Sequence, residues 1–228
     1  MSHDSPILSL RAVCYSTPDG RSLGNNVSVE LQAGQILLIT GANGSGKSTL
    51  LDIILGSREY DSGTVQLNAP DACISYLPQM QDTQTHLPFS LRDVLKVSVN
   101  RPVDDDEITS HKLLGKRHLD LGWNSASGGE KRRTLLTRTF LQKPELIILD
   151  EPFNHLDSES RQVMTSSLRR FVAIENKCVI LSTHEGFATA SLESEAFELR
   201  DFEHGDLKHG SSINNQLPGE LTIKQIAL

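Results

Sequence analysis

Gly41-Ala42-Asn43-Gly44-Ser45-Gly46-Lys47-Ser48 is the stretch that decides how this chain is read. It follows a short apolar run, Gln35–Thr40, and precedes Thr49–Leu55, whose apolar spacing suits a helix closed by Gly56. A strand, a glycine-rich turn and a helix start in that order make an anion cradle. The glycines let backbone N–H groups turn inward, and the positive end of the helix adds to their field. The pattern G-x-x-x-x-G-K-S assigns Gly41, Asn43, Gly44, Ser45, Gly46, Lys47, Ser48 and Thr49 to phosphate binding. Within it, Lys47 reaches the β- and γ-phosphates and Ser48 offers a hydroxyl to Mg²⁺.

A second element fits the first. Leu146-Ile147-Ile148-Leu149-Asp150-Glu151 is an apolar strand ending in two carboxylates. At such a strand end Asp150 can face the Mg²⁺ shell while Glu151 projects toward an attacking water. Together the two stretches define a P-loop nucleoside triphosphatase.

The rest of the chain agrees with a soluble α/β protein. Its 228 residues are 37% hydrophobic and 22% charged, with a formal charge of −7. That balance argues against a nucleic-acid partner, which normally requires a basic excess. Lys131-Arg132-Arg133 reads as a solvated helix face rather than an RNA-binding patch. Cys14, Cys73 and Cys178 are far apart and odd in number, so buried free thiols in a reducing compartment are expected. The start, Met1 to Pro6, lacks the charge and apolar pattern of a signal peptide. No apolar run approaches the roughly 18 residues of a membrane span.

Residues 7–33 alternate apolar and polar positions around Pro18-Asp19-Gly20, which predicts antiparallel strands. Ser90–Leu95 reads as a helix start with Ser90 and Asp93 as its cap. Asp104–Glu107 either opens another helix or forms a solvated acidic loop. Leu146–Leu149 and Cys178–Leu181 are runs suited to a parallel sheet buried on both faces, with helical spacing over Glu159–Phe171 between them. The tail from about Arg200 is mixed and polar and holds no further domain. The expected fold is α/β: a P-loop core with a mostly parallel sheet, an N-terminal antiparallel β subdomain and a small helical insertion. It is read as one domain over 1–228, the core at about 1–82 and 128–228 and the insertion at about 83–127.

Ser125-Ala126-Ser127-Gly128-Gly129-Glu130 narrows the class. A Ser-Gly-Gly helix start presents a hydroxyl and bare N–H groups to an anion. Ser127-Gly128-Gly129-Glu130 resembles the signature of the ABC (ATP-binding cassette) ATPases, with Ala126 where that family usually has Leu. Gln79, in Leu77-Pro78-Gln79, resembles the family's Q-loop glutamine, which senses Mg²⁺ and the water. Asn154-His155-Leu156-Asp157 resembles its D-loop, and His184, in Ser182-Thr183-His184-Glu185, its H-loop histidine, which contacts the γ-phosphate. Tyr15 either stacks on adenine, as the family's aromatic residue does, or packs in the core.

The resemblance, from about Ile7 to Arg200, implies an ATPase working with ATP and Mg²⁺ as half of a dimer. Glu151, His184, Lys47 and Gln79 would be catalytic, and Ser48, Gln79 and Asp150 would attend the metal. Ser127, Gly128, Gly129, Glu130 and Asp157 would close over the nucleotide of a second subunit, in a homodimer or with a different ABC chain. The implied partner is an integral membrane permease, with the chain peripheral on the cytoplasmic face of the membrane. Leu77-Pro78-Gln79 with Leu87–Val94 is most similar to the zinc and manganese uptake branch. The alternative is a soluble protein acting on ribosomes, because Ser127–Arg133 and Glu151–Asp157 also resemble ABC-F translation factors. Those carry two cassettes and a charged linker, and this chain has neither.

Overall fold

The computed structural model describes residues 5–69, 73–79, 88–97, 99, 101–154, 156–183 and 221–227. Among them, eight strands and six helices follow one another as β1 (Leu8–Ser16), β2 (Ser22–Leu31), β3 (Gln35–Thr40), α1 (Lys47–Ile54), β4 (Ser62–Leu67), β5 (Ile74–Leu77), α2 (Leu91–Val97), α3 (Asp105–Ser110), α4 (Lys116–Leu119), α5 (Gly128–Leu141), β6 (Leu146–Asp150), α6 (Ser158–Ala173), β7 (Cys178–Thr183) and β8 (Thr222–Ala227). A 3₁₀ turn over Trp123–Ser125 precedes α5.

The strands form two sheets. One is antiparallel, in the order β2-β1-β4, and holds the alternating stretch that begins near residue 7. The other has the order β5-β6-β7-β3-β8, parallel throughout except where β8 joins β3. The α/β core with a mostly parallel sheet and an antiparallel β unit is therefore the observed fold.

Continuous apolar runs are needed in the second sheet because both of its faces are covered. Ile36, Leu38, Ile147, Leu149, Val179 and Leu181 face Leu136 and Phe140 of α5 and Met164, Leu168 and Phe171 of α6. Their neighbours in sequence, Leu37, Ile39, Leu146, Ile148, Cys178 and Ile180, face α1 and the antiparallel sheet. Side chains on a strand alternate between faces, so a half-polar pattern would bury polar groups on one side. The parallel register also sets the ends of β3, β5, β6 and β7 along one edge, where the loops that follow them emerge.

The residues between β5 and α5 build short helices around a cluster of their own, made by Leu95, Val103, Ile108, Leu114 and Leu119 with Leu141 of α5. Asp104 settles the two readings of the acidic run: its side chain accepts from the Glu107 N–H at 2.8 Å and caps α3. Ser90 and Asp93 cap α2 reciprocally, the Ser90 N–H donating to Asp93 Oδ2 at 2.9 Å and the Asp93 N–H to Ser90 Oγ at 3.2 Å.

One expectation changes. Only Cys178 is a buried thiol; Cys14 and Cys73 are partly exposed, and none of the three is in a disulfide. The polar tail supplies β8, an edge strand of the main sheet, although its stretch from Arg200 to Glu220 lies outside the described residues. The first residues of the expected insertion, 83–87, also lie outside them.

Leu38 is fully buried between β7 and β8. Leu38→Ala is expected to destabilise the fold by about 2–5 kcal/mol, read as a lower denaturant midpoint with an unchanged slope; an unshifted midpoint would refute the two-faced core.

Candidate functional site

The loop from Gly41 to Ser48 leaves the end of β3 and enters α1. Gly46 caps that helix in a left-handed conformation, φ 97°, which side chains rarely adopt. A Cβ there would also stand 3.0 Å from Leu23 Cβ and 3.3 Å from the Tyr15 ring. Lys47 folds back over the loop and is 6% exposed. Its Nζ donates to the carbonyls of Gly41 at 2.8 Å and Ala42 at 3.1 Å and lies 3.2 Å from Glu151 Oε1. The ammonium and the carboxylate are both buried, so removing one partner would leave an uncompensated charge.

Glu151 follows the last residue of β6 and has φ 49°, a left-handed conformation uncommon for a residue with a side chain. Its N–H donates to Ser182 Oγ at 3.0 Å. Asp150, 2% exposed, accepts a hydrogen bond from the same Ser182 hydroxyl. One residue of β7 therefore orients both carboxylate positions.

Arg132 was read from sequence as part of a solvated face, and the structure overturns that. It is 1% exposed. Its guanidinium donates to the carbonyls of Asp150 at 2.9 Å, Glu151 at 3.0 Å, Pro152 at 3.3 Å and Pro78 at 3.1 Å. Burial pushes its pKa down to about 10, opposed by the neighbouring Asp150 and Glu151, so it stays charged at neutral pH. Lys131 and Arg133 are also engaged: Lys131 Nζ lies 5.7 Å from the Trp123 ring centre, and Arg133 pairs with Asp157 at 3.3 Å. Composition could not separate these three cations. The helical period places Arg132 on the same inward side as Leu136, and that was the available signal.

A pocket of about 260 Å³ joins the predicted groups Asn43, Gly44, Gly46, Lys47, Ser48, Thr49, Gln79 and Glu151. It adds three residues that the motifs do not name: Thr17, Arg21 and Leu23. Arg21 Nη2 donates to the Gly44 carbonyl at 3.3 Å, which sets a guanidinium at the mouth of the loop. Tyr15 takes the second of its two readings. It is 1% exposed, packed under Gly46 and against Gly24, where a Cβ would stand 2.1 Å from the ring. Burial raises its hydroxyl pKa. The ring props the loop from beneath and presents no face to the pocket. His184 and His155 lie outside the described residues.

Ser127, Gly128, Gly129, Glu130 and Asp157 do not line that pocket. Ser127 and Glu130 instead form a reciprocal cap, the Ser127 N–H donating to Glu130 Oε2 at 2.8 Å and the Glu130 N–H to Ser127 Oγ at 3.2 Å. The Ser127 N–H is the main cause that holds the Glu130 carboxyl below its ordinary pKa. A Cβ at Gly128 would meet nothing within 4 Å, so the backbone there is open to approach from outside. Asp157 caps α6 by accepting from the Ser160 N–H at 2.7 Å.

The residues present fit a phosphate chain and a hard cation. Ser45 Oγ is buried inside the loop with no hydrogen-bond partner, as a hydroxyl awaiting an anion would be. Ser48 and Gln79 put oxygen donors into the same pocket. No cluster of three or more His, Cys, Asp or Glu able to hold a metal occurs among the described residues. Mg²⁺ commonly binds through one or two protein oxygens together with substrate phosphates, which suits such a pocket.

Comparison with known proteins agrees with this geometry. A family profile described as ABC transporter matches residues 24–154. The zinc import ATP-binding protein ZnuC 1 of Aliivibrio fischeri is 32% identical over 180 residues, 78% of this chain and 69% of that protein. The zinc import ATP-binding protein ZnuC of Vibrio parahaemolyticus is 35% identical over 158 residues, 69% of this chain and 59% of that one. The chain thus aligns with roughly three-fifths to two-thirds of these relatives' lengths. Among solved structures, a metal-chelate type ABC transporter in an inward-facing conformation superposes with a TM-score of 0.68 at 24% identity, covering 82% of this chain and 77% of that one. A dimeric ATP-binding cassette bound to ADP and Pi does so with a TM-score of 0.62 at 21% identity, over 78% and 88%.

Gly24→Ala forces the Tyr15 ring out of its notch and is expected to destabilise the chain by about 1–3 kcal/mol. A denaturant midpoint equal to that of the parent chain would show that the ring yields without cost.

Proposed function

The chain belongs to the ABC transporter family, and from that premise we propose that it is the ATP-hydrolysing subunit of a transporter, acting as a dimer around two ATP molecules. The observation that carries this reading is the 3.2 Å contact of Lys47 with Glu151 on one pocket wall. The contact pairs the residue suited to hold phosphate with the residue suited to direct water.

In the proposed reaction, Lys47 exchanges its loop carbonyls for β- and γ-phosphate oxygens, and the N–H groups at the start of α1 hold the remaining phosphate charge. Ser48, Gln79 and Asp150 would hold Mg²⁺, which would supply further charge neutralisation when bound. Glu151 orients or deprotonates the attacking water, a role worth about 10²–10⁴-fold in rate. His184, which follows β7, is assigned to the γ-phosphate.

Ser127, Gly128 and Glu130 are assigned to the nucleotide of the second subunit. Supporting this, they stand away from their own chain's pocket, with open space at Gly128. Asp157 is assigned to the subunit interface. No helix among the described residues is long and apolar enough to cross a membrane, and we assign the membrane path to a separate permease. The segment between β5 and α5 is proposed as its docking region, because Gln79 stands at the entrance to it. Zinc is the proposed cargo, because the relatives quoted above are named as zinc import proteins.

Glu151→Gln is expected to lower ATP turnover by about 10²–10⁴-fold while ATP drives the variant into a stable dimer on size exclusion. Normal turnover would sink the assignment. Tagged Glu151→Gln protein, purified with ATP from detergent-solubilised native cells, is expected to bring down a polytopic membrane protein. Recovery of ribosomes alone would reinstate the translation-factor reading.

A further inference from the structure

We propose that Arg132 is a positioning residue for hydrolysis: it aims Glu151 and ties that aim to the helix start that meets the second subunit's nucleotide. The inference rests on the ATPase reading and assigns a role to a residue that this reading leaves without one.

The argument starts from how Glu151 is held. Its backbone is gripped on both sides: the N–H donates to Ser182 Oγ at 3.0 Å, and the carbonyl accepts from Arg132 Nη2 at 3.0 Å. Its φ of 49° is a conformation that needs such support to persist. With both flanking peptide planes fixed, the direction in which the side chain leaves the backbone is fixed too, toward Lys47.

Arg132 makes more than this one contact. All three of its guanidinium nitrogens are used, on carbonyls of Pro78, Asp150, Glu151 and Pro152. Three of these are consecutive residues running off β6, and the fourth immediately precedes Gln79. No other side chain offers a planar fork that spans two loops in this way; a lysine ammonium is a single point with three donors.

The charge itself is the informative feature. A guanidinium that is 1% exposed is costly to bury, and a neutral side chain would fill the same volume without that penalty. The site that bears this cost lies beneath Asp150 and Glu151. Because Arg132 stands in the second turn of α5, which Ser127 caps, contact at Ser127 reaches Glu151 through one helix turn and one side chain.

The test uses Arg132→Lys and Arg132→Ala in the full chain. Each is assayed for steady-state ATP hydrolysis with Mg²⁺, for ATP affinity, and for ATP-driven dimerisation when combined with Glu151→Gln. The expected result is a kcat lower by about 10- to 100-fold with KM and affinity within about threefold, and with dimerisation retained in the double variant. Dimerisation is the readout that a merely structural role would move, since disturbing α5 would abolish it. Arg132→Lys with full kcat overturns the proposal, as does loss of dimerisation or a fall in affinity that accounts for the fall in rate. If the parent chain binds ATP but shows no turnover, the ATPase reading fails and the role of Arg132 fails with it.

Discussion

The contact between Lys47 and Glu151 depends on a sheet that brings two distant loops to one edge. Lys47 follows β3 and Glu151 follows β6, and only β7 lies between these strands. The pairing is parallel throughout this part of the sheet, so both loops emerge at the same end. An antiparallel arrangement would have placed the ammonium and the carboxylate on opposite edges. The burial of both sheet faces gives this frame its stiffness, and the buried ion pair requires it, because neither charge can be left alone out of water.

The same economy appears in Ser182. Its hydroxyl donates to Asp150, and as an acceptor it takes the N–H of Glu151. The middle strand thus does more than separate the two loops. It orients the pair of acids that ends its neighbour, and Arg132 reaches the same residues from the helix layer. Strand and helix meet on the backbone of residues 150 and 151, which is where a small displacement would matter most to chemistry.

Much of this was legible in the sequence, for physical reasons. The cradle of Gly41 to Ser48 reads clearly because glycine, lysine and serine at those spacings serve few purposes other than holding phosphate. The apolar runs of β3, β6 and β7 read clearly because a sheet covered on both faces tolerates no alternation. Three features resisted. Tyr15 could pack or stack, and only Gly24 decides between them, since the missing side chain leaves room for the ring. Arg132 sits between two cations with different surroundings, and charge alone says nothing about which of three neighbours turns inward. The strand at Thr222–Ala227 is short and mixed in polarity, as edge strands are, and pairs with a segment almost the whole chain away.

That last pairing bears on how the protein is made. Synthesis delivers β3 well before β8, which covers its outer edge from Gln35 to Thr40. Until then the strand that leads into the phosphate loop carries a bare row of N–H and C=O groups on one side. Such an edge is a template for pairing with another chain. The emerging polypeptide therefore passes through a stage in which its most apolar sheet is incomplete. Pairing of β8 with β3 closes that edge of the sheet against a second copy of the chain.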